Sequence, residues 1–321
     1  MIVNCVAYRD GSSLGDVHID DISNLLAENG TFVWLGLHEP DIQLLRKVQE
    51  EFSLHDLAIE DTLHAHQRPK LEAYADSLFI VVDTAHVEKD EVRFGETHIF
   101  AGQNFIITIR HGLSVSYAPV RQKCELSPQR LRLGPGYALY SVMDFVVDNY
   151  QPVAQSLQER FQELEQEIFE KSFDSESISR LYRLKGELIK LRDAVGPISD
   201  ISNQLIRFHE ELVRKELKPY FRDIEDHVTR IIKAVDNTRE MLTTAIQVNL
   251  ALVTVGQNEV VKRLAGWGAI LAIPTVVFSL YGMNFSHMPE LHFRFGYPLV
   301  VGCTVAACGF LYWRLVRAGW I

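Results

Sequence analysis

Two stretches of this 321-residue chain carry no charged side chain: eighteen residues from Leu264 to Tyr281 and nineteen from Phe295 to Trp313. As helices rising 1.5 Å per residue they reach roughly 27 and 28 Å, close to the ~30 Å hydrocarbon thickness of a bilayer. A pair of buried core helices would share that composition, but two such runs thirteen residues apart near one end of the chain suit a membrane hairpin better. Lys262 and Arg263 precede the first run and Arg314 and Arg317 follow the second, while Glu290 balances Arg294 between them. This charge bias predicts a multi-pass protein with both termini in the cytoplasm. Met1–Arg9 lacks the basic start and apolar run of a secretory signal, in keeping with a cytoplasmic amino-terminal body.

Charge is needed to describe that body. The chain holds 32 Lys plus Arg against 42 Asp plus Glu, and only five basic and two acidic residues fall in 259–321, so residues 1–258 carry a net charge of −13. An acidic body excludes nucleic acid as a partner, because phosphate binding needs a basic face. The four cysteines form no C-x-x-C pair, which argues against a zinc ribbon or a disulfide framework and fits a reducing compartment.

Residues 1–135 alternate strand-like runs (Phe32–Leu37, Leu78–Asp83, Thr97–Phe100, Asn104–Ile109) with helical ones such as Asp41–Phe52, predicting an α/β domain whose strand order the pattern does not give. From 136 to 218 the chain is poor in Gly and Pro, predicting long helices broken near Phe173–Ser177 and Gly196–Pro197. Pro219 suits the first turn of a further helix, and no proline follows until Pro274. Ile224, Val228, Ile231, Val235, Leu242, Ile246 and Val253 recur near every 3.5 residues, a seam for partner helices. A helix spanning 219–281 would be about 94 Å long. Such a stalk is hard to bury in one subunit and predicts self-association around an axis. The fold class is therefore an α+β cytoplasmic domain, a long stalk helix and two carboxy-terminal transmembrane helices, joined by an outer loop at 282–294 and closed by a tail at 314–321.

The first span ends in Tyr281-Gly282-Met283-Asn284-Phe285, followed by Met288-Pro289-Glu290-Leu291 and a second span. Taken alone, Gly-Asn at a helix end is an ordinary C-cap. In this position the sequence resembles the CorA family of magnesium channels, whose signature is Gly-Met-Asn at the outer end of the first of two carboxy-terminal helices. The resemblance runs from about Trp34 to Ile321 and includes Leu57-Ala58-Ile59-Glu60-Asp61, His66-Gln67-Arg68-Pro69-Lys70, Tyr140-Ser141-Val142-Met143-Asp144 and Tyr220-Phe221-Arg222-Asp223. It implies a homopentamer in the inner membrane, with the first span lining a pore for Mg²⁺ and secondarily Co²⁺ or Ni²⁺.

Mg²⁺ dehydrates reluctantly and prefers octahedral oxygen coordination, so neutral oxygens that accept hydrogen bonds from its waters suit a filter: the Asn284 side chain with the Gly282 and Met283 carbonyls. Gly268, Ala272, Thr275 and Ser279 share one helix face, which reads either as close helix packing or as pore lining. Inward the same face passes Leu264 or Ala265, then Val261 and Asn258; the resemblance implies an apolar constriction on that side, which makes Leu264 and Val261 a dewetting gate with Asn258 below them. Many family members have glycine where Ser279 stands, and a Lys cluster where this tail has only Arg314 and Arg317. In the cytoplasmic body, Glu60 and Asp61, the nearby His66, and Asp144 and Asp223 are individually compatible with caps or solvated faces. The resemblance implies that Asp61 and Asp223 bind regulatory Mg²⁺ across subunits, with Glu60, His66 and Asp144 forming a second site. Two other readings exist: a zinc-transporting branch of the same family, whose members usually depart from Gly-Met-Asn, and a membrane-anchored metal enzyme. No phosphate-binding glycine loop or H-E-x-x-H motif supports the enzyme.

Overall fold

The computed structural model describes residues 1–65, 67–170, 175–283, 288 and 293–321. They form two units, Met1–Thr243 and Thr244–Ile321.

The first unit is built on one seven-stranded sheet of β1 (Ile2–Arg9), β2 (Ser12–Asp16), β3 (Thr31–His38), β4 (Lys70–Tyr74), β5 (Ser77–Glu88), β6 (Glu91–Gly102) and β7 (Phe105–Gly112), in the order β2-β1-β3-β7-β6-β5-β4. Only β3 and β7 pair in parallel. They lie inside the sheet, and β3 is buried along all but its last residue. A strand covered on both faces reads as a continuous apolar run, which is why Phe32–Leu37 was recognisable. Two hairpins turn on two-residue loops with positive φ at both positions, Asp10-Gly11 and Lys89-Asp90. That geometry matches the right-handed twist of the flanking strands. The second hairpin extends β5 and β6 to twelve residues each, beyond the runs expected from sequence.

Helices cover both faces. On one, Val33, Leu35 and Leu37 of β3 and Ile107 and Ile109 of β7 pack with Leu45 and Val48 of α2 (Ile42–Phe52) and Ala58 and Ile59 of α3 (Asp56–Leu63). The short α1 (Ile22–Leu26) buries Ile22 in the same layer. Asp41 caps α2 by accepting from the Leu44 amide at 2.8 Å. On the other face lie α4 (Ala118–Glu125), α5 (Pro128–Leu131), α6 (Pro135–Glu170) and α7 (Ser175–Phe208). Tyr8 of β1 donates to Glu125 of α4 at 2.7 Å, and Tyr150 of α6 donates to the Asp83 carbonyl of β5.

Contrary to expectation, α7 does not break at Gly196–Pro197: Pro197 lies inside the helix. A proline there forfeits one backbone hydrogen bond and crowds the preceding turn. The buried Ala194, Val195, Ile198 and Ile201 around it supply packing that outweighs this local cost. The break expected at Phe173–Ser177 lies partly outside the described residues. Helix α8 (Lys218–Tyr281) runs 64 residues. Its expected seam is divided: Ile224, Val228, Ile231, Val235 and Leu242 are buried within the subunit, whereas Val253 is exposed. The lower half of the seam is therefore covered by the chain's own helices rather than left for other copies. The last helix is α9 (Gly296–Arg317).

Candidate ion pathway and cytoplasmic ion cluster

Both apolar runs are helical and of mean hydropathy 1.7. In the unit Thr244–Ile321, α8 meets α9 through one face. A Cβ added at Gly266 would lie 3.1 Å from the Ile321 side chain, the Cys308 thiol approaches the Ile270 carbonyl at 3.7 Å, and Trp267 lies against Tyr312 at 6.3 Å between ring centroids. Ile273 and Val277 continue that face against Val300 and Thr304.

The expected pore residues lie elsewhere on the helix. Asn258, Val261, Leu264, Gly268, Ala272, Thr275 and Ser279 are all exposed in the subunit, and nothing lies within 4 Å of a Cβ built on Gly268. Gly268, Ala272, Thr275 and Ser279 stand two positions after Gly266, Ile270, Ile273 and Val277, and two residues turn an α-helix by about 200°. The small residues therefore form a second face, distinct from the one that packs on α9. Sequence spacing alone did not separate the two, because glycine serves at Gly266 on one face and at Gly268 on the other. The Thr275 hydroxyl donates to the Leu271 carbonyl at 2.8 Å, which leaves its oxygen lone pairs as acceptors.

At the end of α8 the Gly282 amide donates to the Phe278 carbonyl at 2.9 Å and the Met283 amide to Leu280 at 3.3 Å. Gly282 does not take the positive φ of a helix-terminating C-cap glycine. Gly282 and Met283 are exposed. Asn284 and Glu290 lie outside the described residues, as does His66 of the cytoplasmic set.

In the unit Met1–Thr243 the structure brings Asp144 of α6 and Asp223 of α8 together within one subunit, with His227 as the third member; their nearest ligand atoms lie within 4.8 Å of one another. The cause is helical spacing on two facing helices. Val142, Met143, Val146 and Val147 turn α6 onto the protein core while Asp144 and Asp148, four apart, take another stripe. On α8, Phe221, Ile224 and Val228 are buried while Asp223 and His227, again four apart, sit beside them. The imidazole bridges both helices, 3.7 Å from Asp148 and 3.7 Å from Asp223. Tyr140 packs on Tyr220 at 5.0 Å and Phe221 at 6.0 Å, which fixes the two helices against each other here. Burial, then repulsion from Asp148, pushes the Asp144 carboxyl above its ordinary range. Two carboxylates and an imidazole facing one small space form a donor set for a divalent ion, and an ion there would relieve the repulsion that raises Asp144. His227 was missed from sequence, although the paired i, i+4 spacings of Asp144/Asp148 and Asp223/His227 were a readable signal.

Glu60 and Asp61 join no such cluster within the subunit among the described residues. Glu60 is exposed near the end of α3. Asp61 accepts a hydrogen bond from the Lys70 ammonium at 2.6 Å, and Lys70 also reaches Glu72 at 3.0 Å.

Comparison with known proteins bears on both regions. The family described as CorA-like Mg²⁺ transporter protein matches residues 29–317. The cobalt/magnesium transport protein CorA of Thermotoga maritima is 31% identical over 289 residues, covering 88% of this chain and 82% of its own length. A putative metal ion transporter of Bacillus subtilis, YfjQ, is 30% identical over 288 residues and covers 89% of each chain. Among solved structures, the complete CorA magnesium transporter of Methanocaldococcus jannaschii superposes with a TM-score of 0.81 at 22% identity over 100% of both chains.

Proposed function

Because the chain belongs to the CorA-like family of Mg²⁺ transporters, which are ion transporters and not enzymes, we propose that this divalent metal transporter is a homopentameric channel admitting Mg²⁺, and also Co²⁺ and Ni²⁺, across the inner membrane. Both termini face the cytoplasm. The observation that carries this reading is the free face of α8: small and hydroxyl-bearing positions from Gly268 to Ser279, turned away from α9 and unfilled within the subunit. Five copies of that face around an axis would line a pore with small and hydroxyl-bearing side chains. Gly282, Met283 and Asn284 form the filter, in which neutral carbonyls accept hydrogen bonds from first-shell waters and leave the ion hydrated. Val261 and Leu264 form the inner constriction, with Asn258 below them, and their apolar side chains oppose wetting unless the helices separate.

Gating follows from linkage. An ion that binds the closed state better than the open one favours closure as its concentration rises. Asp61 and Asp223 bind cytoplasmic Mg²⁺ between subunits, and Glu60, His66 and Asp144 hold a second ion nearby; because Asp144, Asp223 and His227 share one space within the subunit, Asp223 stands between the two ions and His227 is a further ligand for either. Empty, these carboxylates repel one another; occupied, they hold the subunits together and shut the pore.

The deciding experiment is ion flux into liposomes containing the purified protein, compared across Mg²⁺, Co²⁺, Ni²⁺ and Zn²⁺. Flux of the first three, suppressed by millimolar Mg²⁺ on the cytoplasmic side, is expected. Zn²⁺ flux without Mg²⁺ flux would instead assign the chain to zinc transport.

A further inference from the structure

The strongest unassigned feature of the first unit is the cation already in contact with Asp61. Lys70, the first residue of β4, places its ammonium 2.6 Å from Asp61 and 3.0 Å from Glu72, and 5.8 Å from the Phe79 ring centroid. Glu72 is itself fixed by the Tyr74 hydroxyl at 2.8 Å. The Lys70 and Asp61 side chains are only 28% and 29% exposed, so water screens the pair incompletely. Lysine is a compact point charge with three donors, and here two carboxylates and an aromatic face hold it in one place.

From this geometry we infer that Lys70 is a tethered internal cation that competes with the regulatory divalent ion for Asp61 and so lowers the affinity of that site. The inference rests on the proposed role of Asp61 as a ligand. An incoming Mg²⁺ must either displace the ammonium or share the carboxylate with a like charge, and both are unfavourable. The site therefore responds to a higher free Mg²⁺ concentration than the bare carboxylates would. Glu72 is the counterweight: it offers the ammonium a second carboxylate and thereby weakens its hold on Asp61. Lys70 and Glu72 act through Asp61 and are positioning residues for the ion.

The test is a Mg²⁺ titration of the protection of the full-length protein from limited proteolysis, a readout independent of flux. Lys70→Gln is expected to move the midpoint to at least about tenfold lower Mg²⁺, the scale on which a charge within 4–6 Å alters the ionisation of a neighbour. Lys70→Arg keeps the charge and stays within about threefold of the wild type. Glu72→Gln moves the midpoint the other way, to higher Mg²⁺, because the ammonium then leans on Asp61 alone. A purely structural role for the pair would shift both neutral variants in the same direction, toward weaker protection, and would overturn the inference. Should Lys70→Gln fail to fold, Lys70→Met removes the same charge and decides in its place: a midpoint unchanged or raised overturns the inference. Asp61→Asn is the control that separates the two levels. If Asp61→Asn abolishes the Mg²⁺ response and Lys70→Gln leaves the midpoint where it was, the competition is wrong and the regulatory site stands. If Asp61→Asn has no effect, Asp61 is not a ligand, and both the site and the competition fall.

Discussion

Apolar residues are used in opposite ways in the two units. In Met1–Thr243 they point inward: Trp34, Leu35, Phe79, Phe100 and Tyr150 are all less than 2% exposed. In Thr244–Ile321 residues of the same kinds point outward, and only 6% of the most apolar window of each helix is buried. The first unit satisfies its apolar surface by itself, through a sheet covered on both faces. The second does not, and suits a hydrocarbon solvent. The contrast extends to polar groups. Carboxylates gather around Asp144 and Asp223 in the first unit, whereas the free face of α8 from Gly268 to Ser279 offers small and hydroxyl-bearing side chains.

The sharpest way to break this contrast is at the proposed filter. Asn284→Ala should abolish Mg²⁺ uptake while leaving the oligomer intact by size-exclusion chromatography, because it removes an oxygen donor and buries nothing new. Substantial uptake by the variant would take Asn284 out of the pathway. Next comes the same truncation made once in each unit. Leu45→Ala, at a residue 1% exposed, should cost about 2–5 kcal/mol in the amino-terminal unit and lower its melting temperature. Leu264→Ala, at a residue 74% exposed, should leave that melting unchanged and instead raise flux under closing Mg²⁺ concentrations. Equal thermal effects would erase the distinction between a core leucine and a gate leucine.

Thr275→Ala should reduce flux by about two- to tenfold, the worth of one hydrogen bond of roughly 0.5–1.5 kcal/mol, since other oxygens line the same face. The smallest effect concerns protons. Burial, and then the neighbouring His98, hold His111 below its ordinary ionisation range, outweighing Glu39, which raises it. Such a group takes up fewer protons folded than unfolded. Its contribution is complete above the ordinary histidine value of about 6.5 and is lost as pH falls through that value toward the folded one. Thermal stability of the amino-terminal unit should therefore decline below about pH 6.5, and His111→Gln should flatten that decline.

Much of the architecture was readable because its signals are local. Charge-free runs, the helix starting at Lys218–Pro219, and the buried strands β3 and β7 each declare themselves within a dozen or two residues. Asp10-Gly11 was an equally local hairpin signal, and reading it would have placed β1 and β2 in the first thirty residues. Pro197 shows the limit of the approach: a correct local rule was overridden by packing that only the assembled helices supply.

Composition and spacing by themselves determined that this chain carries two apolar helices long enough to cross a membrane, that a long helix leads into the first of them, and that Gly282-Met283-Asn284 follows directly on it. These follow from solvation and helical period, which depend on residues near one another in sequence. The tertiary structure decided the strand order, which half of the α8 seam the subunit covers itself, which glycine of the first span packs on α9, and the meetings of Asp144 with His227 and of Asp61 with Lys70. Those depend on contacts between residues distant along the chain, and a side chain's place in such a contact is set by how whole elements pack rather than by its own neighbours.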